Sequence, residues 1–364
     1  MPPSGWPPQR ILIVRLHGLG DVLMITPAIR AMRLAWPRAK LVAVVGRAVR
    51  PSLAGNPHLD EIIPIAEEIF FQRRPLALLK LALALRARRF ELGVVFSRSR
   101  ALQTFAKLAG CQQVVSLKRL PPNHPAAIAD WRATRYQVEE HLQMLAGLGV
   151  AAHGLAMDFF ISAQAEARAA KIAPPEAKWA VMAPGGGVNA ASRMVQRRWP
   201  AERFASLAEA LHQVYGLRTI IVGSPGDSGL AQQIIRLVKS PVADATAEDR
   251  LDVTAALIRR SRLLVCNDSV AMHLGLIVGT PTVAIFGPSN HQAVLPPGQR
   301  LVRVVRAGTD CSPCFWQAKP GIDPRLGRGK PLPCGQALPR CLEEISLEMV
   351  LRAAESCLTA SPDY

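Results

Sequence analysis

The chain has 364 residues, 49% hydrophobic and 20% charged, which excludes a disordered chain and gives length enough for two domains with sizeable cores. Lys and Arg number 44 against 27 Asp and Glu, a formal net charge of +17, which points either to an anionic partner or to an Arg-rich solvated surface. The cations are dispersed and aromatics are only 5%, so nucleic acid is discounted as that partner.

The opening MPPSGWPPQR has no apolar stretch of the secretory kind. ILIVRL (11–16) then reads as a buried strand, followed by the turn HGLGD and a helical pattern running from Asp21 to Trp36. Gly18 and Gly20 begin a dinucleotide fingerprint, but Leu23 stands where its third glycine belongs and Lys40 near the place of its acid. A hydride-transferring Rossmann enzyme is therefore poorly supported, and the G-x-x-x-x-G-K-[ST] phosphate loop is absent. Asp21 has two readings: a cap on the first helix, or a carboxylate presented as general base to a hydroxyl.

LVAVVG (41–46), LGVVF (92–96) and VVSL (114–117) continue the strands, and YQVEEHLQMLAGLG (136–149) reads as a helix. PLALLKLALALRARRF (75–90) contains Lys80 and is too short to span a bilayer. It reads as a buried helix with a basic end, and secondarily as a helix lying on a membrane surface. AQAEARAAKIAPPEAK (163–178) reads as a linker, with room for a helical turn within it.

The strand and helix rhythm then restarts. WAVMAP (179–184), RTIIVG (218–223), RLLVCND (262–268) and TVAIFG (282–287) are strands, with helices near 200–214, 226–238, 249–260 and 346–358. The expected fold is α/β, with two doubly wound Rossmann-like domains facing a central cleft. The expected boundaries are 8–165, 172–345 and a closing helix and tail over 346–364. Loops that directly follow strands should hold the ligand. Gly185, Gly186 and Gly187 open one such loop and would let backbone amides approach phosphate oxygens, with Arg197 and Arg198 neutralising a diphosphate. The alternative is an exposed basic loop. Asn267-Asp268-Ser269 ends another strand; Asp268 and Ser269 can cap the helix that follows, and His273 lies one turn into it, as a core residue or a catalyst.

The seven cysteines do not suggest a disulfide scaffold, so a cytoplasmic location is expected, with peripheral contact to the inner membrane left open. Cys311, Cys314, Cys334 and Cys341 form C-x2-C-x19-C-x6-C, either a structural zinc site or four reduced thiols.

ILIVRLHGLGDVLMITPAIRAMR together with NDSVAMHLGLIVGTPTVAIFGPSN resembles glycosyltransferase family 9, the ADP-heptose:lipopolysaccharide heptosyltransferases. The likeness extends through PGGG…RRWPAERFASLA and IIVGSPGD, and the cysteine-bearing tail leans it towards the second heptosyltransferase type. The resemblance implies a GT-B fold, with acceptor in the first domain and nucleotide sugar in the second. It implies inverting transfer of heptose from ADP-heptose to the lipopolysaccharide inner core, without a required metal. Asp21 matches the family's proposed base, with Gly20 beside it in the same turn. Gly185 and Gly186 fall in the glycine loop of the donor side. Arg197 stands at the diphosphate contact, Asp227 near the ribose contact, and Asp268, Ser269 and His273 on the diphosphate-side motif, where Val270 replaces the usual glycine. Transfer of another sugar, or a catalytically silent nucleotide-binding scaffold, are the alternatives.

Overall fold

The computed structural model describes residues 6–71, 74–117, 135–189, 192–315 and 338–359. They divide into two compact units, one ending at Phe160 and the other beginning at Ile161.

The first unit is built on a parallel sheet of β1 (Arg10–Arg15), β2 (Lys40–Gly46), β3 (Glu61–Ile65), β4 (Leu92–Val95) and β5 (Gln113–Ser116), in the order β3-β2-β1-β4-β5. Ile11 to Val14 are all buried, as a strand covered on both faces requires. The chain lays β2 on one side of β1 and β4 on the other, so the loops leaving β1 and β4 part at the carboxyl edge, where such sheets bind ligands. Helices α1 (Leu19–Leu23), α2 (Thr26–Ala35), α3 (Glu68–Phe71), α4 (Pro75–Arg86), α5 (Arg100–Leu108) and α6 (Gln137–Ala146) accompany this sheet.

The helical pattern expected over 21–36 is thus two helices. Pro27 has no N–H to continue the ladder, and Thr26 Oγ1 donates to Leu23 O at 2.7 Å across the break. The expectation of a buried helix at 75–90 also fails. α4 buries Ala82 and Leu85 and half-buries Leu78 and Leu81 against the core, but Leu76, Leu79 and Leu83 stand exposed. A helix lying on a sheet turns only one stripe inward.

The second unit opens with α7 (Ala163–Ile172), so the first ten residues of the segment expected to be a linker form a full helix rather than a single turn. Ser162 Oγ caps it by accepting from Ala165 N at 3.1 Å, and its buried Ala165 and Ala169 allow close packing on α10 (Leu251–Arg259). The sheet comprises β6 (Trp179–Ala183), β9 (Arg218–Ile221), β10 (Val242–Asp244), β11 (Leu263–Asn267), β12 (Thr282–Ile285) and β13 (Val302–Val305), all parallel, in the order β10-β9-β6-β11-β12-β13. A short antiparallel pair, β7 (Val188–Asn189) and β8 (Ser192–Arg193), interrupts the loop after β6. Helices α8 (Ala201–Tyr215), α9 (Ser228–Leu237), α11 (Val270–Val278) and α12 (Arg340–Glu343) complete the unit with α13 (Leu347–Thr359), whose Val350, Ala354 and Cys357 belong to the same core as the sheet. Among the described residues no helix is long and apolar enough to cross a membrane.

Candidate functional site

In the first unit the site is the loop leaving the central strand. Gly18 turns the chain at φ 79°, a left-handed conformation that favours glycine. A Cβ there would also fall 2.2 Å from Asp21 Oδ2, because the carboxylate folds back over this residue. The N-cap of α1 is Gly18, and Asp21 stands in the first turn of that helix, where a carboxylate also suits the helix dipole. The Asp21 carboxylate accepts from Arg15 Nη2 at 2.7 Å. Arg15 is the last residue of β1, and its Nη1 donates to Phe96 O just beyond β4 at 2.6 Å, bridging the two strands where they part. The Asp21 side chain is 31% exposed and that of Arg15 only 12%, so the ion pair offers its acidic side to solvent. Gly20 lies half-buried within the same short helix.

His141, on α6, completes the surroundings. It is buried, its Nδ1–H donates to Met24 O at 3.0 Å, and its ring meets the Phe96 ring edge-on at 5.1 Å. Burial pushes its imidazole down to about 4; the Met24 bond opposes this, the Arg15 charge adds to it and the Asp21 charge again opposes it.

In the second unit the loops after β6 and β11 lie side by side because these strands pair. Asn267, fully buried, joins them: Nδ2 donates to Pro184 O at 2.7 Å and Oδ1 accepts from Trp199 N at 3.1 Å. Gly185 and Gly186, which open this loop, are buried. A Cβ on Gly186 would stand 2.0 Å from Met194 O, so only glycine fits this crossing.

Arg197 Nη1 lies 3.1 Å from Asp268 Oδ2, and its guanidinium is 5.7 Å from the centre of the Phe315 ring, within cation–π range. Arg198 Nη2 donates to Asp227 Oδ1 at 2.7 Å. The other oxygen of Asp227 accepts from Ser224 N at 3.0 Å and Ser224 Oγ at 2.7 Å, and the carboxylate packs on Gly185. Both cations are therefore held by buried carboxylates at the carboxyl edge of the sheet. Ser269 occupies the N-cap of α11, but its side chain makes no capping bond and Asp268 turns to Arg197 instead. The expected capping by Asp268 and Ser269 is thus corrected. His273 is buried in the first turns of α11.

Gly185, Gly186, Arg197, Asp227, Asp268 and Ser269 accordingly share one loop cluster, with His273 deeper along α11; Asp21 and Gly20 belong to the first unit. Two fixed cations, close-approach glycines and a helix N-terminus make an anion-binding arrangement. Arg15, His141 and Phe315 were missed from sequence, and Asn267 was named there without its bridging role. The signals were a cation closing an apolar strand and an Asn closing another.

Of the cysteines proposed for zinc, Cys311 is exposed, Cys314 and Cys341 are buried, and Cys334 lies outside the described residues. Among the described residues no three His, Cys, Asp or Glu side chains converge on a metal position.

Comparison with known proteins fits these observations. A family model described as glycosyltransferase family 9 (heptosyltransferase) matches residues 108–321. The chain is 24% identical over 292 residues to lipopolysaccharide heptosyltransferase 3 of Escherichia coli, covering 76% of this chain and 83% of the relative. A solved family 9 glycosyltransferase from Veillonella parvula superposes with a TM-score of 0.74 at 23% identity, covering 97% of this chain and 98% of that one. The E. coli ADP-heptose lipopolysaccharide heptosyltransferase II structure gives 0.72 at 20% identity, covering 97% and 100%. Both carry the GT-B fold expected from sequence, two Rossmann-like α/β domains. The chain belongs to glycosyltransferase family 9, the heptosyltransferases.

Proposed function

We propose that this chain transfers heptose from ADP-heptose to the inner core of lipopolysaccharide, inverting the anomeric centre, with Asp21 as general base. The observation that carries the reading is the Asp21 carboxylate, set over Gly18 and braced by Arg15 at the carboxyl edge of the central strand. Two relatives whose names specify lipopolysaccharide heptosyltransferase, one of them with ADP-heptose, support the donor and acceptor class.

The first unit binds the acceptor and the second the nucleotide. The acceptor hydroxyl oxygen forms a bond to the anomeric carbon as the bond from that carbon to the diphosphate oxygen breaks. The proton passes to Asp21, and ADP departs with the electron pair. One displacement gives one inversion. Charge growing on the leaving diphosphate is met by Arg197, by the amides at Gly185 and Gly186 and by the α11 N-terminus, arrangements that work without reorganising at the moment of reaction. Asp268 orients Arg197, and Ser269 and His273 line the same side. Asp227 acts by holding Arg198 and the Ser224 turn, next to the nucleoside. With Arg197, the loop amides and the helix N-terminus in this role the reaction calls for no divalent metal. The acceptor being membrane-borne, the net charge of +17 favours peripheral contact with an anionic leaflet.

Product analysis after incubation with sugar nucleotides and truncated core acceptors tests the reading. Heptosylated core from ADP-heptose supports it, and transfer only from another nucleotide, or none, contradicts it.

A further inference from the structure

The outer face of α4 is unexplained by sugar transfer. Leu76 is 75% exposed, Leu79 42% and Leu83 52%, and their spacing puts them on one stripe. α5 packs beside α4 and adds exposed Leu108, near Gly110, on which the Arg86 side chain rests. Exposed leucines are ordinary when scattered; a row of them is not.

On α4, on α5 and between them the exposed charges are mostly basic, while α3, which packs on α4, carries the exposed acid Glu68. Arg74, Lys80, Arg86, Arg89, Arg100 and Lys107 are exposed, and among the described residues none forms an ion pair. Between Arg74 and Gln112 the sequence holds one acid, Glu91. Its carboxylate accepts the amides of Gln9 and Arg10 at 2.9 and 2.6 Å, at the amino edge of the sheet.

We propose that this α4–α5 face docks on an anionic phospholipid bilayer, the leucines entering the headgroup boundary and the flanking cations meeting lipid phosphates. An apolar ridge bordered by cations is the pattern of helices that lie in the interface. α4, of 12 residues, lies along a membrane rather than across it. A second copy of this face is disfavoured, since it would set like charges against each other. As a crossover helix between β3 and β4, α4 begins at the sheet edge that carries Asp21. The inference takes from the proposed function only that the acceptor is membrane-borne.

The test is co-sedimentation of the full chain with vesicles of phosphatidylcholine containing phosphatidylglycerol, compared with phosphatidylcholine alone. Neither vesicle carries saccharide, so the result is independent of whether heptose transfer is correct. The wild-type chain binds the anionic vesicles in a salt-sensitive manner and the neutral ones weakly. Leu76→Gln with Leu83→Gln lowers partition about tenfold, and Lys80→Glu with Lys107→Glu does likewise, with melting midpoints unchanged. Leu237→Gln, an exposed leucine of α9, leaves partition as it was. Absence of binding to anionic vesicles, equal binding by the leucine variant, or a wild-type dimer that the leucine variant converts to monomer overturns the proposal.

Discussion

Arg15, at the end of β1, and Arg197, in a single helical turn of the loop after β6, do similar work in the two units: each is a cation pinned to a carboxylate that fixes the geometry of a loop. For Arg197 the partner Asp268 is buried, so truncation has two separable consequences. Arg197→Ala lowers ADP affinity by roughly ten- to a hundredfold through the lost phosphate contact. It also leaves the Asp268 carboxylate buried without its cation and lowers unfolding stability by ~3 kcal/mol. Calorimetric titration with ADP and urea unfolding measure the two. Arg197→Ala with Asp268→Asn recovers part of the stability but not the affinity, whereas recovery of both contradicts the phosphate role. Asp227 tests differently. Its oxygens are taken up by Arg198 and Ser224, so Asp227→Asn loosens the turn, and its effect on ADP binding should track its effect on stability across temperature.

Among the elements, the loops depend on pairings that no local sequence pattern reveals. β6 and β11 are far apart in the chain and adjacent in the sheet, and Asn267 acts across that junction. Asn267→Ala leaves the buried Pro184 carbonyl and Trp199 amide without partners, costing ~2–4 kcal/mol by thermal or urea unfolding; a loss below 0.5 kcal/mol, roughly the surface-substitution range, contradicts the bridging role. The central strands were legible because burial on both faces makes them continuous apolar runs. β3, β10 and β13 were not, since they are short edge or near-edge strands broken by Pro64, Asp244 and Arg303. The Gly-Asp turn and the Asn-Asp-Ser turn were legible as sites because each follows a strand. Of their braces, Arg15 closes the strand before the turn, whereas His141 and Phe315 come from distant parts of the chain and became visible only with the fold. The leucines of α4 misled because composition gives apolarity without its direction.

For the whole molecule, two consequences follow. The first concerns acid. His141 has a pKa of about 4 in the folded first unit against an ordinary 6.5. Below 6.5 the unfolded chain takes up a proton that the folded chain refuses, so this contribution to stability is full at neutral pH and is lost as the pH falls towards 4. The loss amounts to ~3 kcal/mol. Urea unfolding across this range should show the decline in the wild type and a flatter profile in His141→Gln; equal slopes contradict the burial argument. The second concerns catalysis. If one acid on the first unit accepts the proton while the second unit holds the nucleotide, chemistry and donor binding must separate cleanly under a single substitution. The direct measurement is turnover of ADP-heptose onto a core acceptor by the wild type and by Asp21→Asn, with ADP affinity measured on both. The account predicts turnover lower by about 10²–10⁴-fold in the variant, unchanged ADP affinity and an inverted linkage in the wild-type product. Undiminished turnover by Asp21→Asn, or a product of retained configuration, contradicts it.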